Sequence, residues 1–256
     1  MKKAFLIAFF LFKFLLCDTS FAGTVYEQVN VGFDNSGYAP FHILPDESGD
    51  KVIKGIVVDL LNGFQGQYPH YKIAFNKVVP NKRLTIEMDK GVADIVYDSP
   101  LFVGEKVNNF IWSESFAETR DCVVMLKDSQ FLFKKPEDLF GKKVGKIRGY
   151  AYGEYDKYFQ EGKIIGWNTD KAIQLITMLK MKRVDCFLGN IHTTPYQIKL
   201  SKYKLEEFYF SDKPLYTFEL KFQINKSRVK LREDLDRFII EAKATGLLKK
   251  IEEKYK

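Results

Sequence analysis

The strongest constraint on this chain is a unit of structure that it spells twice. The segments "DKGVADIVYDS" (89–99) and "KMKRVDCFLGN" (180–190) both run from a basic helix end through Val and Asp into an apolar strand with a polar exit. Ahead of the first stand "TVYEQVNVGFD" (24–34), strand-like in its β-branched and aromatic content, and "GIVVDLLNGFQGQY" (55–68). The latter has apolar residues at 56, 57, 60, 61 and 64 on one helical face. "HYKIAFNKV" (70–78) predicts a second strand and "NKRLTIEMDKG" (81–91) a helix ending at Gly91. Ahead of the second stand "GKKVGKIRG" (141–149), "YAYGEYDKYFQ" (150–160), "GKIIGWN" (162–168) and "TDKAIQLITMLKMK" (169–182), again alternating strand and helix. Alternation of this kind builds parallel α/β sheets, and a repeat this long excludes a solenoid.

Two extended apolar stretches, "WSESFAETRDCVVML" (112–126) and "PLYTFELKFQI" (214–224), flank the second unit and read as crossings between two lobes. In the tail, Leu231, Leu235, Phe238 and Ile239 share one helical face, Gly246 breaks the run, and a short helix follows. The expected division is a discontinuous first lobe (23–115 with 217–256) and a continuous second lobe (116–216), with the cleft between them.

Residues 1–22 read as a secretory signal. A basic "MKK" precedes the apolar run "AFLIAFFLFKFLLC", and "SFA" before Gly23 fits a small-x-small site cleaved after Ala22. The competing reading is a membrane anchor, but the run is short for the ~20 apolar residues a span needs, and Lys13 interrupts it. The leader carries Lys2, Lys3, Lys13 and Asp18, so its loss reduces the formal charge from +7 to about +5. The remaining bases are spread among nearly as many acids, a solvated surface and not a nucleic-acid stripe. Cys122 and Cys186 lie in apolar runs, which favours buried free thiols over a disulfide. His42, His70 and His192 are far apart with no ligand-spaced partners, so no metal or other cofactor is expected.

The chain resembles the periplasmic solute-binding proteins of ABC importers, family 3, in the group that binds polar amino acids. The resemblance rests on the order and spacing of "YAPF" (38–41), "GIVVDLL" (55–61), "GVADI" (91–95), "FIWSESF" (110–116), "LFGKKVGKIRG" (139–149), "RVDCFLGN" (183–190), "FSDKPLY" (210–216) and "ATGLLKKIEEKY" (244–255). It implies the two-lobed type II fold with two crossing strands as a hinge, a monomer in the periplasm, a small-molecule solute, and a transient membrane permease partner.

Site residues follow from the resemblance and from strand ends. The family places an aromatic of the "YAPF" loop against the solute, which points to Tyr38; the alternative is that Tyr38 and Phe41 both pack beneath the loop. Open α/β sheets bind ligands beyond the carboxyl ends of their strands, which points to Asp98 and Ser99. Counting from Asp94, the family's carboxylate-gripping arginine falls on Lys106, which supplies charge without the planar fork, or else is a surface lysine. Asn190 stands where an ammonium-binding aspartate is usual, or caps the next turn. Tyr150, Ala151 and Tyr152 replace a Ser/Thr-bearing turn at a helix amino terminus. Arg83 is either a further cleft cation or a surface residue of its helix. A cleft with one cation and aromatic walls predicts a small anionic or amino-acid-like solute. Two other functions compete: a periplasmic sensor module, and a dehydratase-like enzyme on the same scaffold. For catalysis Asp98, Glu105 and Glu114 are the nearby carboxylates, and none forms a pair at evident catalytic spacing.

Overall fold

The computed structural model describes residues 26–45, 49 and 51–255; residues 1–22, expected to be a signal, lie outside them. Strand β1 (Glu27–Asp34) buries Val29, Val31 and Phe33 by period-two alternation. Helix α1 (Ile56–Gln67) turns Ile56, Val57, Leu60, Leu61 and Phe64 into the core, the face that the sequence marks. There follow β2 (Tyr71–Val79), α2 (Asn81–Asp89), β3 (Ile95–Asp98), the single turn α3 (Pro100–Val103) and the long strand β4 (Phe110–Leu126). The second unit comprises β5 (Lys143–Ile147), α4 (Tyr155–Gln160), β6 (Ile165–Thr169), α5 (Ala172–Lys180), β7 (Cys186–Asn190), α6 (Thr193–Leu200) and β8 (Phe208–Phe210). Strand β9 (Tyr216–Asn225) and helices α7 (Val229–Ala244) and α8 (Leu247–Glu253) complete the chain.

The strands run in the order β2-β1-β3-β9-β4-β7-β5-β6, with β8 on β4. β1 is parallel to β2 and β3, and β5 is parallel to β6 and β7, so each half of the sheet has three parallel strands. An antiparallel strand closes each half: β9 on β3, and β4 on β7. β4 and β9 pair with each other along their length, from Phe110↔Asn225 to Asp121↔Tyr216. That register shifts between Trp112 and Ala117, where Ser113 Oγ accepts from the Phe222 amide at 2.9 Å and takes over a missing ladder bond.

Hydrophobic packing follows the same division. One cluster joins β1, α1 and β9 to α7 and α8, through Phe64, Phe222, Leu235, Phe238 and Leu248 among others. The tail therefore packs against the chain's first segment. Around β5 and β7 there are two clusters, one holding Leu139, Val144 and Leu188, the other Ile147, Leu175 and Phe187. A parallel strand covered on both faces needs apolar residues on both, which is why "CFL" in β7 reads as a continuous run. Cys122 and Cys186 are buried and free, and burial pushes the Cys122 thiol up to about 11. No helix among the described residues is long and apolar enough to cross a membrane.

Candidate functional site

A cavity of about 220 Å³ lies where the two sheet halves face each other, bounded by the exits of β1, β3, β5 and β7. It is smaller than the roughly 300–1,000 Å³ that suits drug-sized ligands.

The first wall begins at Asp34, the last residue of β1. Its Oδ2 accepts from Ser36 Oγ at 2.5 Å and from the Tyr150 hydroxyl at 2.8 Å, so one carboxylate touches both walls. The loop after β1 is held by main-chain bonds. The Tyr38 amide donates to the His42 carbonyl, and the Phe41 and His42 amides donate back to the Tyr38 carbonyl. The carbonyls of Pro40 and Phe41 accept the Ile56 and Val57 amides, satisfying two of the donors that a helix start leaves unpaired. Gly55 makes this docking possible: it has φ 124°, and a Cβ there would sit 2.5 Å from the Phe41 carbonyl oxygen. His42 is buried with Nε2 at 2.8 Å from the Asp34 carbonyl oxygen and Nδ1 against the Tyr97 hydroxyl. A carbonyl only accepts, so Nε2 carries the proton and Tyr97 donates to Nδ1. Burial lowers the His42 pKa to about 4 and keeps the ring neutral.

Tyr38 stands half-buried at the cavity wall, stacked on Phe41 with ring centroids 5.6 Å apart, while Phe41 is fully in the core. Asp98 reaches the cavity from β3 and accepts the Ser99 amide at 2.7 Å. Burial raises its pKa to about 6, and the Asp34 charge adds to the rise. Ser99 is buried, and its hydroxyl accepts the Leu101 amide to cap α3.

On the second wall, Tyr150, Ala151 and Tyr152 all border the cavity. The expected helix amino terminus is not there. α4 starts only at Tyr155, so residues 150–152 form an irregular turn without stacked helical amides. Tyr152 is occupied structurally, its hydroxyl accepting the Ile147 amide at 2.8 Å and its carbonyl accepting the Tyr216 hydroxyl. Asn190 is buried at the exit of β7. Its Oδ1 accepts the His192 amide at 2.9 Å, and its Nδ2 donates to Thr119 Oγ1 at 2.8 Å and Asp121 Oδ1 at 2.9 Å. It thus caps the turn and also positions a carboxylate. Burial raises that carboxylate, Asp121, to about 6, and the Asn190 bond partly offsets the rise.

Two expected cations lie elsewhere, which corrects the one-cation cleft. Lys106 falls in the 3-10 turn Gly104–Asn109 that carries it away from the cavity; it is 55% exposed and 3.6 Å from Asp89. Arg83 sits on the face of α2 opposite Leu84 and Met88, is 65% exposed, and pairs with Glu87 one turn on. From α2 it is Asn81, Leu84 and Thr85 that border the cavity. Among the described residues no lysine or arginine borders it, whereas Asp34, Asp98 and Asp121 do.

Sequence reasoning missed Asp34 and several other contributors. Asp121 lies mid-strand in β4. Thr193 and Thr194 come from α6, and Gln223 from β9. α6 reaches the wall because Gly189 leaves room: a Cβ there would meet Thr194 Oγ1 at 2.6 Å. The side chains of Thr193, Thr194 and Gln223 are more than nine-tenths buried at the cavity wall, with no protein hydrogen-bond partner among the described residues. No fully buried side-chain nitrogen or oxygen among the described residues lacks a partner, so the polar atoms of these three are reached from the cavity and can bond what it receives.

A small cavity of mixed polar and apolar lining between two α/β halves joined by crossing strands defines a two-lobed binding protein. The chain belongs to the bacterial extracellular solute-binding proteins, family 3, whose sequence model matches residues 29–256. That is a family of binding proteins and not of enzymes. No curated protein sequence matches the chain. Among solved structures it is similar to a mutant of ArgBP from T. maritima, at TM-score 0.71 and 21% identity over 89% of this chain and 94% of the other. An ancestral arginine-binding protein bound to arginine matches at TM-score 0.68 and 20% identity, covering 90% and 99%. A histidine kinase sensor domain with similarity to periplasmic binding proteins matches at TM-score 0.73 and 16% identity, covering 90% and 96%. At these identities the likeness is one of fold.

Proposed function

We propose that the chain captures a small solute in the cavity between its two walls and delivers it to the membrane permease of an ABC importer. The observation that carries this reading is one cavity at the strand exits of both halves, onto which polar side chains from several elements converge, among them Asp98, Asp121, Thr193, Thr194 and Gln223. Tyr38, Asp98, Tyr150 and Asp121 are the residues we assign to solute contact, with Asn190 holding Asp121 in place. Residues 23–115 with 217–256 form one lobe in this reading and 116–216 the other, which close on each other through Tyr150 and Asp34. Export through a leader cleaved after Ala22 belongs to the same proposal.

Several structurally similar proteins are named for amino acids, one of them bound to arginine and another to glutamine. An anionic solute loses its support here, because Lys106 and Arg83 stand outside the cavity. The test is native mass spectrometry of protein purified from its producing cell, followed by thermal-shift screening. A solute at 100 times its dissociation constant adds about 2.7 kcal/mol to stability. A chain that neither retains nor responds to any small solute would refute the reading.

A second reading, a sensor module, is favoured by the sensor-domain likeness. Crosslinking in membranes separates the two, by capture of a permease or of a signalling protein.

A further inference from the structure

Resting on the solute-binding reading, we propose that the cavity is built for a small organic cation that carries an amine or guanidinium and no carboxylate.

The charges of the wall come first. Three carboxylates border the cavity, one from each of three strands: Asp34 from β1, Asp98 from β3 and Asp121 from β4. Asp34 is already engaged by Ser36 and Tyr150. Asp98 accepts one backbone amide, and Asp121 accepts one side-chain amide. An ionised carboxylate offers about four acceptor sites, so both keep most of their capacity for a donor in the cavity. Every other polar group on the wall is a neutral hydroxyl, amide or imidazole. Burial holds Asp98 and Asp121 up near 6 with no lysine or arginine offsetting it, which is the condition that a bound cation would relieve.

The aromatic lining serves the same end. Tyr38 borders the same cavity as Asp98 and Asp121, so its ring shares the space that they face. A ring face next to carboxylates suits an ammonium, through the attraction of a cation to a π-surface. The side chains of Thr193, Thr194 and Gln223 at the wall supply neutral hydrogen bonds to the rest of such a molecule.

A carboxylate would meet the opposite conditions. The two cations that could have gripped it point to solvent, and the turn at 150–152 presents no helical amides. Inside the cavity a carboxylate would lie among Asp34, Asp98 and Asp121 at low local dielectric, where like charges repel strongly.

The experiment compares pairs of molecules that differ only in that group: 1,4-diaminobutane with ornithine, agmatine with arginine, and tyramine with tyrosine. Calorimetry with the unmutated protein at pH 7.5 is expected to show at least one amine bound on the order of tenfold to a hundredfold more tightly than its carboxylated counterpart. Asp98→Asn and Asp121→Asn should each weaken that amine by a similar factor, while Lys106→Ala leaves it unchanged. The paired comparison needs no variant, so a variant that fails to fold does not blunt it. Should an amino acid match or exceed its amine, the cation inference falls and the solute-binding reading stands. When no probe binds, the solute retained in native mass spectrometry decides. A retained amine supports the inference, a retained carboxylate or phosphate overturns it, and no retained solute of any kind overturns both readings.

Discussion

The wall at the ends of β1 and β3 and the wall at the ends of β5 and β7 come from the same alternation of strand and helix, yet they present different groups to the cavity. The first offers an aromatic ring, a neutral histidine and two carboxylates, on a loop whose main chain is bonded at nearly every residue. The second offers hydroxyls and amides from α6 and from an irregular tyrosine turn. Their interiors differ in balance: behind the first wall a large cluster is joined by a small one of Leu84, Met88, Ala93, Val96 and Phe110, whereas the two clusters behind the second are of similar size. The lesson is a division of labour. In the proposed reading, charge preference is set by the first wall and the adjoining crossing strand, while the second wall supplies neutral bonds and the Tyr150 contact with Asp34.

The hardest test of that contrast is on stability. Phe238 of α7 packs edge-on to Phe64 at 5.7 Å between centroids. Phe238→Ala should lower unfolding free energy by ~3–5 kcal/mol, because the C-terminal helices complete the core of the first wall. Denaturant melts check it, and a loss below about 1 kcal/mol would detach the tail from that core.

Within the first wall, positions 38 and 41 should separate cleanly. Tyr38→Ala should weaken solute binding by roughly 1–3 kcal/mol with an almost unchanged unliganded melting temperature, while Phe41→Ala should cost ~3–5 kcal/mol of stability. Calorimetry and thermal melts on the pair decide it. The reverse pattern would mean that the two rings have exchanged roles.

The carboxylates give a pH signature. Burial raises Asp98 from 3.8 to about 6, so between about pH 4 and 6 the folded state binds more protons than the unfolded chain. Stability contributed by this group therefore falls as pH rises through that window and stays lowest above it. Asp98→Asn should accordingly melt higher than the unmutated, unliganded protein at pH 7.5, by about 1–2 kcal/mol, and the two should converge near pH 4. Equal melting of both at pH 7.5 would show that Asp98 bears no burial penalty.

The smallest effect concerns the second wall. Tyr150→Phe keeps the ring but removes the hydroxyl from Asp34, and should weaken solute affinity by ~1 kcal/mol through easier opening. Small-angle scattering should show a more open average shape, and an unchanged shape with unchanged affinity would deny the contact any part in closure.

Most of the fold could be read from the chain because its signal is periodic. The apolar face of α1 and the alternation in β1 are visible without any tertiary information. Helix α6 was hidden by Pro195, which breaks a helix interior but is tolerated in the first turn, where its missing amide hydrogen has no partner to lose. Strand exits located Asp98 and Asn190, but Asp121 sits mid-strand, where only its pairing with Asn190 across β4 and β7 reveals that it faces the cavity. Lys106 shows the limit of counting along a chain. Its place relative to Asp94 was the familiar one, while a 3-10 turn decided its direction.

The loop carrying Tyr38 has a consequence for how such a protein could change over generations. Its shape is maintained by the amide and carbonyl of residue 38, by the carbonyls of residues 40 and 41, and by the buried rings of Phe41 and His42. None of these bonds uses the side chain at 38. That position is an interchangeable tile in a fixed frame, where one substitution can alter what the cavity accepts without re-laying the loop. A change at 41, 42 or 55 would have to be repaired before it could be selected.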